Sequence, residues 1–178
     1  MKLYKHTFSD DCAFGEAGED FVFKVLEEAH GYNCRKETEK RLQLAGIDGY
    51  IHNPLYGGTH SVQIKTCRKI HSTNNMFFDI YTEGQDGTKR DGWPYTTIAQ
   101  LIIYVSHVNK VGWMFDATAL KRNMERFRRA YEIRVVDRNI SKSGEFKGYG
   151  IAVPVIAVER YCTAVRLDFN KEPVTDGR

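Results

Sequence analysis

The chain has 178 residues, room for one domain with a proper core and cramped for two. Hydrophobic residues make up 42% and charged residues 28%, an ordinary globular balance, and no apolar run reaches the eighteen residues a membrane helix needs. A net charge of +3 does not by itself mark a nucleic-acid binder, so the placement of the charges matters more than their sum.

The N-terminus, Met1-Lys2-Leu3-Tyr4-Lys5-His6, runs into Ser9-Asp10-Asp11 without an apolar signal region. Cys12, Cys34, Cys67 and Cys162 are scattered, with no C-x-x-C pair, which argues against a zinc knuckle and for reduced thiols. The expectation is a cytoplasmic protein without a membrane partner, one domain over 1–170 and a frayed tail over 171–178.

Residues 15–29 form the first expected helix. Phe14, Phe21, Val22, Val25, Leu26 and Ala29 recur at helical spacing, acidic residues fill its first turns, and Gly31 ends it. Tyr32–Arg35 reads as a short strand. Ile47–Ile51 alternates, with Asp48 and Tyr50 on one side and Ile47, Gly49 and Ile51 on the other. Asn53–Gly58 is a turn by composition, and His60–Thr66 is its antiparallel return, with Val62 and Ile64 facing one way and Gln63 and Lys65 the other. Met76–Tyr81 is a further strand, and Gly84–Trp93 a polar loop.

Ala99–Val105 is the most apolar run, expected as a central strand buried on both faces, with Val111–Phe115 as its hairpin partner. A helix capped by Asp116 or Thr118 carries the stripe Leu120, Met124, Phe127 and Tyr131. Beyond it come Val135-Val136, a Ser/Gly/Lys loop at 141–148, a short helix started by Pro154 and a last strand around 164–169.

The chemistry concentrates on two neighbouring strands. Asp48 lies on one and Lys65 on the other, and Gln63 shares the face of Lys65 because strand side chains repeat every two residues. A hard divalent cation takes oxygen ligands from a carboxylate, carbonyls and water, and can polarise a phosphodiester or acidify a bound water. A lysine beside it can orient that water or stabilise charge developing on phosphate.

Gly46-Ile47-Asp48-Gly49 followed by Gln63-Ile64-Lys65 resembles the PD-(D/E)XK nuclease superfamily, in a form where Gln replaces the acid of the E-x-K element. The helix Gly15-Glu16-Ala17-Gly18-Glu19 is similar to the first helix of archaeal Holliday-junction resolvases, and the later segments loosely resemble phage-type members. The resemblance covers residues 14–70. It implies an α/β fold, a central mixed β-sheet flanked by helices and restriction-endonuclease-like. It also implies a metal-dependent DNA nuclease acting on branched or recombining DNA, as a homodimer. Mg²⁺, or Mn²⁺ in its place, would be held by Asp48 and Glu19, with Glu16 as substitute for the latter. The Gln63 oxygen and the Ile64 carbonyl would support them, and Lys65 would act on the attacking water. The alternative is an inactive DNA-binding module on the same fold, since an amide brings no charge to the metal.

Arg68 and Lys69 follow the proposed catalytic strand, and Lys121, Arg122, Arg126 and Arg129 crowd the 116–131 helix; these are the expected phosphate contacts. His60 and His71 lack a paired ligand spacing, and Trp93 reads as a core or interface residue.

Overall fold

The computed structural model describes residues 8–55, 57–141 and 144–169. In chain order the elements are α1 (Phe8–His30), β1 (Asn33–Lys36), α2 (Lys40–Leu44), β2 (Gly49–His52), β3 (Thr59–Thr66), α3 (Ile70–Thr73), β4 (Asn75–Gly84) and β5 (Lys89–Asp91). These are followed by α4 (Trp93–Thr96), β6 (Leu101–Ser106), β7 (Val111–Asp116), α5 (Ala117–Ala130), β8 (Ile133–Ser141), β9 (Gly144–Pro154), α6 (Val155–Cys162) and β10 (Val165–Asp168).

The result is an α/β fold with a mixed sheet flanked by helices. Six strands run in the order β1-β2-β3-β6-β7-β10, antiparallel throughout except where β6 lies parallel to β3. β6 is the central strand its composition predicts: Ile102, Ile103, Tyr104 and Val105 are all buried, and they alternate between two cores. On one face α1 packs Val22, Phe23 and Leu26 against Val62, Ile64, Ile103 and Val105. The other face is covered by α5, α6 and a second sheet.

That second sheet is the main departure from expectation. It is antiparallel, in the order β5-β4-β9-β8, and Met76–Tyr81, the further strand expected from the sequence, lies in it as part of β4. Much of the expected 84–93 loop is the β4–β5 hairpin, and residues 144–148 of the expected 141–148 loop are strand β9. Polar hairpins of this kind carry no apolar alternation, because their outer ends extend past the core. The tail 170–178 lies outside the described residues.

α1 begins at Phe8 instead of near residue 15. Its first turns carry no apolar repeat, yet they are held. Arg68, just past β3, donates to Asp11 at 2.8 Å and lies 3.7 Å over the Phe14 ring. Gly31 ends the helix in the left-handed region, at φ 67°. The Asp116 carboxylate caps α5 by accepting from the Ala119 N–H at 2.6 Å. The Leu120, Met124 and Phe127 stripe is buried against Phe78 and Ile151, as its spacing predicts.

Candidate active site

Asp48 stands at the entry to β2. Its N–H donates to the Val62 carbonyl at 2.8 Å, continuing the β2–β3 ladder. The ladder then stops, which leaves the Ile64 N–H on that edge without a strand partner. The Asp48 carboxylate accepts it at 2.6 Å. The N–H and C=O of one strand residue point to the same edge, and the Cys67 N–H reaches the Val105 carbonyl of β6 at 2.8 Å. The odd-numbered residues of β3 therefore serve β6, and the Ile64 carbonyl faces the Asp48 side.

Glu19 arrives from α1. Gly18 allows this, since a Cβ there would stand 2.0 Å from Thr66 Cγ2 and 3.3 Å from His107 Nδ1. The helix backbone thus lies directly on the end of β3, and the next residue comes within electrostatic reach of Asp48. Burial, with the Asp48 charge adding to it, raises the Glu19 carboxyl to about 7. Glu16 is exposed one turn earlier and acts on Glu19 only as a weak neighbouring charge. Gly18→Ala should cost about 1–3 kcal/mol through this clash, readable as a lower midpoint in urea. An unchanged midpoint would show that α1 tolerates displacement from β3.

Gln63 and Lys65 lie on the opposite face from α1, Gln63 beside Gly46 and Lys65 beside Trp93. Gln63 is 5% exposed and its Oε1 has no hydrogen-bond partner, while its amide nitrogen abuts Gly46. A buried orphan acceptor costs about 1–3 kcal/mol, a cost that a bound donor or cation would remove. Burial lowers the pKa of Lys65, and the charges of Asp48, Asp79 and Glu19 pull it back up. Burial likewise raises the pKa of Asp48, against the Ile64 N–H and Lys65. The Lys65 ammonium is 5.2 Å from the centroid of the Trp93 ring.

Two of these neighbours were not assigned to the site from sequence. Asp79 is on β4 and Trp93 opens α4, both within the crossover from β3 to β6. Alternation along 76–81 separates Asp79 from its core-facing neighbours, but nothing in the pattern tells which sheet β4 joins.

Whether these residues suit a cation is a matter of donor chemistry. Among the described residues no three His, Cys, Asp or Glu side chains converge closely enough to hold a metal alone. The donor set is mixed: two carboxylates of raised pKa, Glu19 on α1 and Asp48 at the entry to β2, the Ile64 carbonyl on the Asp48 side of β3, and the orphan amide oxygen of Gln63 on the neighbouring residue. Hard oxygen donors with excess negative charge fit Mg²⁺ or Mn²⁺, which keep several waters and need few protein ligands.

The expected phosphate contacts are dispersed. Arg68 is engaged with Asp11 and Phe14, and Lys69 is exposed at the start of α3. On α5, Lys121 donates to the Thr97 carbonyl, Arg126 lies 4.4 Å over Tyr161, and Arg129 pairs with Glu125 at 3.2 Å. Arg122 is exposed. His60 and His71 are exposed and the structure brings neither to the Asp48 edge. Comparison with protein-family profiles, curated proteins and solved structures finds no match to this chain.

Proposed function

We propose that this chain is a magnesium-dependent DNA nuclease of the PD-(D/E)XK type, restriction-endonuclease-like in its mixed sheet. The supporting observation is that Asp48, at the entry to β2, is oriented by the Ile64 N–H at 2.6 Å, with Lys65 of β3 and Glu19 of α1 within electrostatic reach. Asp48 and Glu19, with the Gln63 oxygen and the Ile64 carbonyl, would hold the ion. The chemistry the ion would supply there is polarisation of the phosphodiester and a lowered pKa for the attacking water. The chain's own work is to present these donors in fixed orientation and to set the Lys65 ammonium beside them. There it acts on the attacking water, and its charge also stabilises negative charge developing on the phosphate.

Branched or recombining DNA is the proposed substrate, cut by a homodimer in a cytoplasmic setting, because a two-fold junction needs two related sites. Of the expected phosphate contacts, Lys69 and Arg122 are exposed and sit in none of the ion pairs and ring contacts described above, so they are the first candidates for its backbone. The test is purified protein with Mg²⁺ or Mn²⁺ on linear, single-stranded and four-way substrates, with light scattering for mass. Cleavage that Lys65→Ala reduces by on the order of 10²-fold is the expected result. Equal cutting by Lys65→Ala would remove the lysine from the site.

One observation favours a second reading. Gln63 contributes no charge, and among the described residues no three His, Cys, Asp or Glu side chains stand close enough to hold a metal alone, as in a module that binds DNA without cutting it. Binding without cleavage on every substrate would select it.

A further inference from the structure

The crossover from β3 to β6 lays α4 over the Lys65 face. Gly92, the residue before α4, donates its N–H to the Ile80 carbonyl of β4 at 2.8 Å, tying the start of α4 to the second sheet. Farther along β4, the Phe77 N–H donates to the Tyr104 hydroxyl of β6 at 2.9 Å, so the two sheets are pinned together beside the site. Trp93 is thereby fixed between them. Its ring packs against Phe78 at 5.7 Å between centroids, and Lys65 Nζ lies 5.2 Å from its centroid. That separation is within the range of a cation–π attraction.

We propose that Trp93 is a positioning residue for Lys65, an indole surface held by the core that fixes the ammonium at the Asp48 edge. This deepens the nuclease reading and rests on it. The physical need arises from the surroundings of the lysine. Asp48, Asp79 and Glu19 all attract the ammonium, and a four-carbon stem can swing among them. The carboxylates supply charge without choosing a place. A flat ring anchored on Phe78 supplies the place, and it shields one side of the ammonium from water. The second sheet is then part of the site and not only a cover for the core.

Two readouts test this. In the NMR spectrum of the protein, the Lys65 ε-methylene signals, identified by their loss in Lys65→Ala, should be shifted upfield by the ring current. They should return to the ordinary lysine position in Trp93→Leu. In cleavage, Trp93→Leu should lower kcat about tenfold with KM unchanged, and Trp93→Phe, which keeps an aromatic face, should regain most of it. Circular dichroism confirms that both variants fold.

An absent ring-current shift overturns the proposal, as does a Trp93→Leu variant with wild-type kcat. Equal losses in the Leu and Phe variants overturn it too, since bulk alone would then be at work. A rise in KM at constant kcat would place Trp93 on the substrate instead. Should the wild-type protein cut nothing while the upfield shift is present, the nuclease reading fails and the Trp93–Lys65 contact stands.

Discussion

Asp48→Asn should leave a folded protein that cleaves DNA on the order of 10³-fold more slowly than wild type, the loss of a metal-side charge at the centre of the reaction. The choice of asparagine separates two jobs of one side chain. The Asp48 carboxylate accepts the Ile64 N–H at 2.6 Å, closing a ladder that β2 no longer extends. An amide oxygen can accept that same bond, so the strand end persists while the charge is gone. Asp48→Ala removes both, and a buried N–H left unpaired adds a stability loss of about 1–3 kcal/mol. Urea unfolding of the pair beside wild type reads the structural part, and Mg²⁺-dependent cleavage reads the chemical part. If Asp48→Asn cuts at the wild-type rate, the carboxylate is only a backbone cap and the site lies elsewhere.

The strand that follows Asp48 was legible from sequence because of its alternation. Ile47, Gly49 and Ile51 alternate against Asp48 and Tyr50, and the core takes Ile47 and Ile51 while leaving Asp48 at an edge. β6 was legible for the opposite reason: with both faces buried, it shows no alternation, only a continuous apolar run. α5 combined an apolar stripe with a capping Asp116, two signals that agree. The second sheet lacked such agreement. β5, Lys89–Asp91, is three exposed charged residues, and β9 opens in a Gly/Lys stretch. Their strand state comes from pairing with β4, a tertiary cause that no local pattern carries.

The site divides along the same line. Asp48, Gln63 and Lys65 come from neighbouring strands joined by a short turn, so their proximity follows from strand periodicity and one return. Glu19 required a family resemblance, because the angle at which α1 crosses β3 depends on the Gly18–Thr66 approach. Asp79 and Trp93 depend on how a whole crossover folds back over the sheet. The sequence contains both residues, and their meeting with Lys65 is decided by long-range packing.

Glu19→Gln should raise stability at pH 8 by about 1–2 kcal/mol while abolishing metal-dependent activity. The folded protein holds this carboxyl at about 7 against an ordinary value of 4.5, with burial as the main cause and Asp48 next. Between those two values the folded state binds more protons than the unfolded state, so stability falls as pH rises through the window. Above pH 7 the whole penalty is present. A shift of this size converts to roughly 3 kcal/mol, and partial access of water to Glu19 reduces it to the lower figure. An amide removes the penalty, so the variant's unfolding midpoint should rise by about 3–6 °C at pH 8 and match wild type near pH 4.5. Mg²⁺ should stabilise wild type more at pH 8 than at pH 6, where it must displace a proton from Glu19, and should leave Glu19→Gln unmoved. A variant with the wild-type midpoint at pH 8 would show that Glu19 is solvated. An equal Mg²⁺ response in both proteins would place the ion away from α1. That pattern would identify Glu19 as a destabilising carboxylate whose cost a bound cation relieves, a stability loss tolerated for function.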